Sequence, residues 1–423
     1  MKYQLVKLSD CCEIISGSTP SRPVSEYWNG TIPWVTPKDL TDLDTPYIHD
    51  APEKITKAGY DSCSTVLLPK NSVLLSSRAP IGHLAINTVE MCTNQGFKSL
   101  IPNDSVDSLY LFFCLKWMKG YLVSLGTGST FKEISKAILS KVEIPLPSLQ
   151  EQKRIAAVLD KADRIRQLNR QLVAKYEALT QSVFLEIFGD PARNEKCWPI
   201  YRIEEVASKD KYSIKAGPFG SALKKEFYVA KGYKIYGQEQ VIRDDLSFGE
   251  YYIDEAKYRS LESCRIQAGD ILISLVGTYG KISIVPENFE PGIINPRLMK
   301  ITLNTNLVLP VFLKKLLQSQ GVRNQIENVS RGGTMDIVNV GIMKNIEIPL
   351  PPIELQKNFV QTLKNIESQK TKAEQSLKKS EDLFNTLLQK AFRGELFEKE
   401  LVEAEIGVVE ESVLSKSMQL NLF

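Results

Sequence analysis

The side chains of this 423-residue chain that suit chemistry are suited to recognition rather than to bond breaking. There are two histidines, His49 and His83, and seven cysteines, Cys11, Cys12, Cys63, Cys92, Cys114, Cys197 and Cys264, with no CxxC pair. A zinc centre therefore has almost nothing to be made from. The phosphate-cradling pattern GxxxxGK[ST] is missing, since Gly277-Thr-Tyr-Gly-Lys281 has the wrong spacing and runs into Ile282. Asn295-Pro-Arg-Leu approaches the Asn/Asp-Pro-Pro-aromatic tetrapeptide of amino-methylating enzymes but lacks its second proline. Neither GxSxG nor HExxH occurs, so no catalysis by this chain alone is expected.

What remains is a set of polar and basic residues on Gly/Pro-rich stretches. In the first half these are Thr19 and Arg22 of Gly17-Ser-Thr-Pro-Ser-Arg22, Lys38 of Thr36-Pro-Lys38, Arg78, and Thr130 and Lys132 after Gly126-Thr-Gly. The second half offers Lys224 and Lys225 after Gly217-Pro-Phe-Gly-Ser221, then Gln238, Gln240, Arg297, and Arg331 and Thr334 of Ser330-Arg-Gly-Gly-Thr334. Arg can bridge the edge of guanine and Gln that of adenine, while Thr, Lys and backbone amides hold phosphates. The same residues also fit solvated loops, and the glycine pairs fit turns that need positive φ.

These loops must be held by something, and the chain states its scaffold twice. IPLPSLQEQK at 144–153 returns as IPLPPIELQK at 348–357, and the offset of 204 holds from Gly128/Gly332 to Phe188/Phe392. Upstream, VLLSSRAPIG at 73–82 resembles ILISLVGTYG at 271–280, displaced by 198. Between these anchors the halves diverge, as expected of two copies of one fold that read different things. Each half mixes short apolar strands with helices expected over 108–121 and 309–320.

After Pro147 and Pro352 the apolar period turns helical. Phe359, Leu363, Ile366, Lys370, Ala373, Leu377, Ser380, Phe384, Leu387 and Ala391 step by fours and threes, and Ile155, Leu159, Ala162, Ile165, Leu168, Leu172, Tyr176, Leu179 and Val183 form a similar stripe. Two seams in one chain predict an antiparallel pair, each helix about 60 Å long at about 1.5 Å per residue. Basic residues such as Lys153, Arg154, Arg166 and Arg170 fit its solvated face. Phe184, Phe188, Leu388 and Phe392 exceed what a two-helix seam buries and are expected either to meet a partner protein or to pack on their own halves. Residues 398–411 are acidic, and 412–423 read as a frayed or partner-docking tail.

Composition agrees with a globular protein: 43% apolar, 24% charged, net charge +3. Such a weak positive balance does not by itself imply nucleic acid. The first residues lack a signal-peptide core and no apolar run reaches the roughly 18 residues that span a bilayer, so a cytoplasmic protein with reduced thiols is expected.

With the duplication, the IPLP-xx-xQ-K start of each long helix, the SGSTPSR opening and the GxxT stretch before each helix, the chain resembles the specificity (S) subunit of Type I restriction-modification systems over about residues 1–397. Pro145, Pro147, Gln152 and Lys153 match the start of that family's central conserved region, and Pro349, Pro351, Gln356 and Lys357 its distal copy. The end from Glu398 onward is not duplicated after the first helix and departs from the pattern.

The resemblance implies an α+β fold with two tandem, pseudo-twofold-related target recognition domains of mixed α/β character, separated by two long helices forming an antiparallel coiled coil. The expected boundaries are 1–147 and 191–351 for the domains, 148–190 and 352–397 for the helices, and 398–423 for the tail. It further implies a non-catalytic subunit that reads a bipartite double-stranded DNA target and docks two methyltransferase (M) subunits and restriction/translocase (R) subunits. No cofactor is expected on this chain; S-adenosylmethionine, ATP and magnesium belong to the partners. Two alternatives stay open: a specificity module for an orphan methyltransferase without a nuclease, and a coiled-coil adaptor that does not bind DNA.

Overall fold

The structure, a computed structural model, describes residues 3–41, 43–78, 80–128, 132–275, 281–330 and 339–397. The chain forms two compact units, one of residues 1–175 with 371–423 and one of residues 176–370.

In the first unit a five-stranded sheet runs in the order Cys12–Ser16, Lys98–Pro102, Val73–Leu75, Leu84–Asn87, Tyr47–Ile48, and a three-stranded sheet in the order Lys54–Ile55, Trp28–Val35, Cys92–Thr93. In the second unit the order is Ile214–Ala216, Leu298–Ile301, Ile271–Ser274, Ile282–Ile284 in one sheet and Tyr228–Val229, Tyr252–Ile253, Tyr233–Tyr236, Gly292–Ile294 in the other. Both units repeat one plan, in which antiparallel pairs dominate and the second-named sheet contains a parallel pair, Trp34–Val35 beside Cys92–Thr93 or Lys234–Tyr236 beside Gly292–Ile294; the five-stranded sheet of the first unit adds another, Tyr47–Ile48 beside Ile86–Asn87.

The continuous apolar runs have a simple cause. Successive side chains of a strand point to opposite faces. Ile271 and Ile273 enter the core shared with the helices, whereas Leu272 between them enters the core shared with the second sheet. Val73 and Leu75 part from Leu74 in the same way. A sheet covered on both sides has no use for alternating polarity.

The first-named sheet of each unit carries a buried helix, Ser108–Trp117 or Pro310–Gln318. The first starts on Asp107, whose carboxylate accepts from the amides of Leu109 and Tyr110 at 3.0 and 2.9 Å, and the second has Pro310 at its first position. Both are shorter than their apolar runs suggest. The chain breaks at Met118 and restarts as Lys119–Leu125; it breaks again at Ser319, whose hydroxyl turns back to the Leu316 carbonyl at 2.6 Å, and restarts as Gln320–Ser330.

The repeated motif begins as a strand and ends as a helix. Glu143–Pro145 pairs antiparallel with Leu5–Lys7, and Glu347–Pro349 with Ile200–Arg202. The helices Leu149–Phe188 and Ile353–Arg393 follow, and each stops at a glycine with positive φ, Gly189 at 76° and Gly394 at 82°. The glutamine common to both copies is fully buried and acts as a clip. Gln152 accepts from the Asp107 amide at 2.9 Å and donates to the Ser105 and Pro147 carbonyls, each at 2.9 Å. Gln356 accepts from the Leu309 amide at 2.9 Å and donates to the Leu307 and Pro351 carbonyls at 3.0 and 2.9 Å. The first turn of each long helix is thereby tied to the start of its buried helix.

The long helices pair antiparallel inside each unit. In the first, Arg166 lies over the Phe384 ring, Asn169 donates to Ser380 at 3.2 Å and Arg170 meets Glu381 at 3.1 Å. In the second, Lys370 meets Glu177 at 2.8 Å and Phe359 packs on Phe184. Lys116 reaches the buried Asp163 at 3.1 Å, and burial pushes its amine below the ordinary lysine range.

The four apolar residues near the helix ends are corrections to the idea of a partner surface. Phe184 and Phe188 pack with Phe312 and Phe359 in the second unit. Phe392 stacks on Trp117 with ring centroids 5.2 Å apart, and Leu388 joins the same core of the first unit. None of the four is more than 8% exposed. The reason is that each end of the helix pair has a third wall, the buried helix of its own unit.

Candidate nucleic-acid interface

In the first unit the predicted loops converge on a turn that the motifs do not name, Asn94-Gln95-Gly96. Strand Cys12–Ser16 ends at Gly17, where a Cβ would lie 2.0 Å from the Asn94 carbonyl oxygen. The Ser18 amide donates to the Thr93 carbonyl at 3.0 Å, and the Trp34 indole donates to the Ser18 carbonyl at 3.0 Å. Thr19 then donates its hydroxyl proton to the Gln95 carboxamide oxygen. Thr36 starts a short helical turn, its amide and hydroxyl donating to Asp39 at 2.7 and 2.9 Å, which leaves Lys38 exposed. Ser77 donates its amide to the Gly96 carbonyl at 2.7 Å and so brings Arg78 to the same place.

The charges here are not all available. Arg22 sits 4.0 Å over the Trp28 ring and forks onto Glu53 at 2.5 and 2.9 Å. Hydrogen bonds from Arg22 hold the Glu53 carboxyl below the usual carboxylate range. Arg78 lies 4.0 Å from Glu133, which also takes Lys98 at 3.1 Å. Lys38 and Lys132 are exposed.

The second unit builds the corresponding turn, Asn295-Pro296-Arg297. A Cβ on Gly217 would lie 1.9 Å from the Asn295 carbonyl oxygen. Gln238 donates to Ser274 at 2.9 Å, so it joins this group, and Arg297 is exposed. Gln240 is a correction: it is 4% exposed, accepts from the Gly237 amide at 2.9 Å and donates to the Ile235 carbonyl at 3.4 Å. At the third position of its helix it caps a turn and has no edge to offer a base. Lys224 and Lys225 are exposed, Lys224 lying 3.7 Å from Glu226 on the stretch leading to Tyr228–Val229. Thr130, Arg331 and Thr334 lie outside the described residues.

Two residues beyond the predicted set belong here. Gln95 is exposed at the centre of the first group, and Phe219, in Gly217-Pro-Phe-Gly, is 74% exposed. A large apolar ring left in water on a loop between two glycines was the available signal for the second. The glycine contacts carry a prediction: Gly17→Ala and Gly217→Ala should each destabilise their unit by about 1–3 kcal/mol, because a methyl group must displace backbone. The shift in urea midpoint measures it, and unaltered midpoints would show that the approach is not as tight as described.

The Type I restriction modification DNA specificity domain matches twice, over residues 1–178 and 195–380. The chain belongs to this family. It is 40% identical over 198 residues to the MjaIX specificity subunit of a Type I restriction enzyme of Methanocaldococcus jannaschii, and that match spans 46% of each chain. The MjaVIII specificity subunit of the same organism is 24% identical over 403 residues, covering 91% of this chain and 92% of that one. The fold is shared with the crystal structure of a Type-I restriction-modification system S subunit from M. genitalium, with a TM-score of 0.57 at 15% identity over 93% and 96% of the two chains. Two copies of one domain, mixed sheet and helix, and two long paired helices are thus the family's architecture. Among the described residues no helix is long and apolar enough to cross a membrane.

Proposed function

We propose that this specificity-family chain is the non-catalytic reader of a Type I restriction-modification complex. Each unit reads one block of a bipartite duplex target, the length of the paired helices sets the unspecified gap, and methyltransferase and restriction subunits dock on the chain and carry out the chemistry. The observation that carries this reading is the same loop cluster built twice, around Asn94-Gln95-Gly96 and Asn295-Pro296-Arg297, with different side chains on it. A shared scaffold with unlike readers is what a two-block target of unlike sequence requires. The exposed Lys38, Lys132, Lys224 and Lys225 would serve the phosphates on either side.

The test is a gel-shift series over salt with the methyltransferase subunit from the same host. Contacts to about six phosphates should lower affinity on the order of a thousandfold between about 50 and about 200 mM salt. An affinity indifferent to salt would point to an adaptor. Mapping methylated adenines in the host genome with and without this gene then gives the two blocks.

A further inference from the structure

We infer that the turns Asn94-Gln95-Gly96 and Asn295-Pro296-Arg297 are equivalent specificity turns, with Gln95 reading an adenine in one block and Arg297 a guanine in the other. The inference rests on the reading of the chain as a two-block DNA reader and names the side chains that discriminate.

The two turns are the same piece of backbone. Asn94 donates its amide to the Val35 carbonyl at 3.0 Å, and Asn295 donates to Tyr236 at 2.8 Å. The Asn94 side-chain oxygen accepts from the Gly96 amide at 2.8 Å, and that of Asn295 from the Arg297 amide at 2.9 Å. The next residue closes each turn, Phe97 onto Asn94 at 3.2 Å and Leu298 onto Asn295 at 3.1 Å. The Gly96 and Arg297 carbonyls accept from Ser77 and Leu275 at 2.7 and 3.0 Å, and a glycine, Gly17 or Gly217, presses on each asparagine. Asparagine is needed for this geometry because its side chain stands in for a backbone acceptor. The two residues after it enter the turn through backbone groups alone, so its hydrogen bonds do not dictate their side chains.

Those two positions differ in a complementary way. In the first unit a Cβ on Gly96 would lie 3.0 Å from the Pro37 ring, so the side chain is carried one position earlier, on the exposed Gln95. The Thr19 hydroxyl bonded to its carboxamide oxygen orients the amide plane and leaves a free lone pair and the NH2 group. A carboxamide so placed can accept from adenine N6 and donate to N7. In the second unit Pro296 occupies the earlier position and Arg297, exposed and without an ion pair among the described residues, the later one. A free guanidinium forks onto guanine O6 and N7.

The experiment uses the full chain with its host methyltransferase and compares Gln95→Ala, Arg297→Ala and Thr19→Ala with the unaltered chain. Binding is measured on duplexes that carry each of the four bases at every position of the target, so discrimination is read without turnover. Gln95→Ala should weaken the preference for adenine at one position of one block by about ten- to a hundredfold, and Arg297→Ala should do the same for a guanine in the other block. Thr19→Ala should relax the same adenine in part. The untouched block of each variant reports that the complex is folded. A preference unchanged at every position in both truncations overturns the assignment of the turns and leaves the two-block reading standing. No two-block preference in the unaltered chain overturns the reading itself, and this inference with it.

Discussion

Removing residues 170–176 together with 373–379 is expected to move the methylated target to a shorter gap while leaving both blocks of sequence unchanged. The two segments face each other in the paired helices: Asn169 meets Ser380 on one side of them and Glu177 meets Lys370 on the other. Taking one heptad from each keeps the seam in phase, because the apolar stripe repeats every seven residues. Seven residues are about 10 Å of helix, and about 10 Å is about three base-pair steps. Methylated-base sequencing of a host carrying the deletion should show the original motif lost and the same two blocks closer together. A motif with its original gap would mean that something other than helix length fixes the spacing.

The second large effect is at the clip. Gln152→Ala should cost the first unit about 3 kcal/mol, from three hydrogen bonds worth about 1 kcal/mol each with their partners left behind in the interior. Gln356→Ala should do the same to the second unit. Hydrogen exchange gives the local readout, since the Asp107 and Leu309 amides lose their acceptors and should lose protection in the respective variants. Protection retained at both amides would show that another group holds the helix start.

The clip also indicates which parts of the molecule are legible in the sequence. A glutamine at the ninth position of IPLPSLQEQK and again of IPLPPIELQK marks a repeated position but not its role, because the three groups it binds belong to loops more than forty residues upstream and to the motif's own proline. The long helices are legible because a seven-residue period survives any tertiary context. Phe359, Leu363, Phe384, Leu387 and Ala391 are all nearly inaccessible, and the polar Ser380 within the stripe is matched by Asn169.

The aromatic residues at the helix ends were harder to place. Counting a two-helix seam leaves Phe184, Phe188 and Phe392 over, and only the packed structure supplies the third wall that takes them up. Among the loops, glycine and proline marked the right neighbourhoods, since Gly17 and Gly217 both abut the central turns. Arg297 is marked by its charge, whereas the matching turn Asn94-Gln95-Gly96 escapes because one asparagine between two strands is a faint signal. Gln240 misled for the opposite reason: a glutamine in a charged stretch looks like a reader when its carboxamide is already spent on the backbone.

The division of the chain into units has a consequence for biosynthesis. Residues 176–370 are contiguous, so that unit can fold as soon as it leaves the ribosome. The first unit is assembled from residues 1–175 and from a segment that begins only at Thr371, and its interior lacks Phe384, Leu387, Ala391 and Phe392 until that segment is made. At about 5–20 residues per second the wait is roughly 10–40 s. During that interval Tyr110 and Phe113, which rest on Phe392 and Phe384 in the finished protein, have nothing from the far end of the chain to cover them. The half of the protein translated first is therefore the half completed last, and a chain released at residue 370 would carry one finished module and one with an open apolar flank.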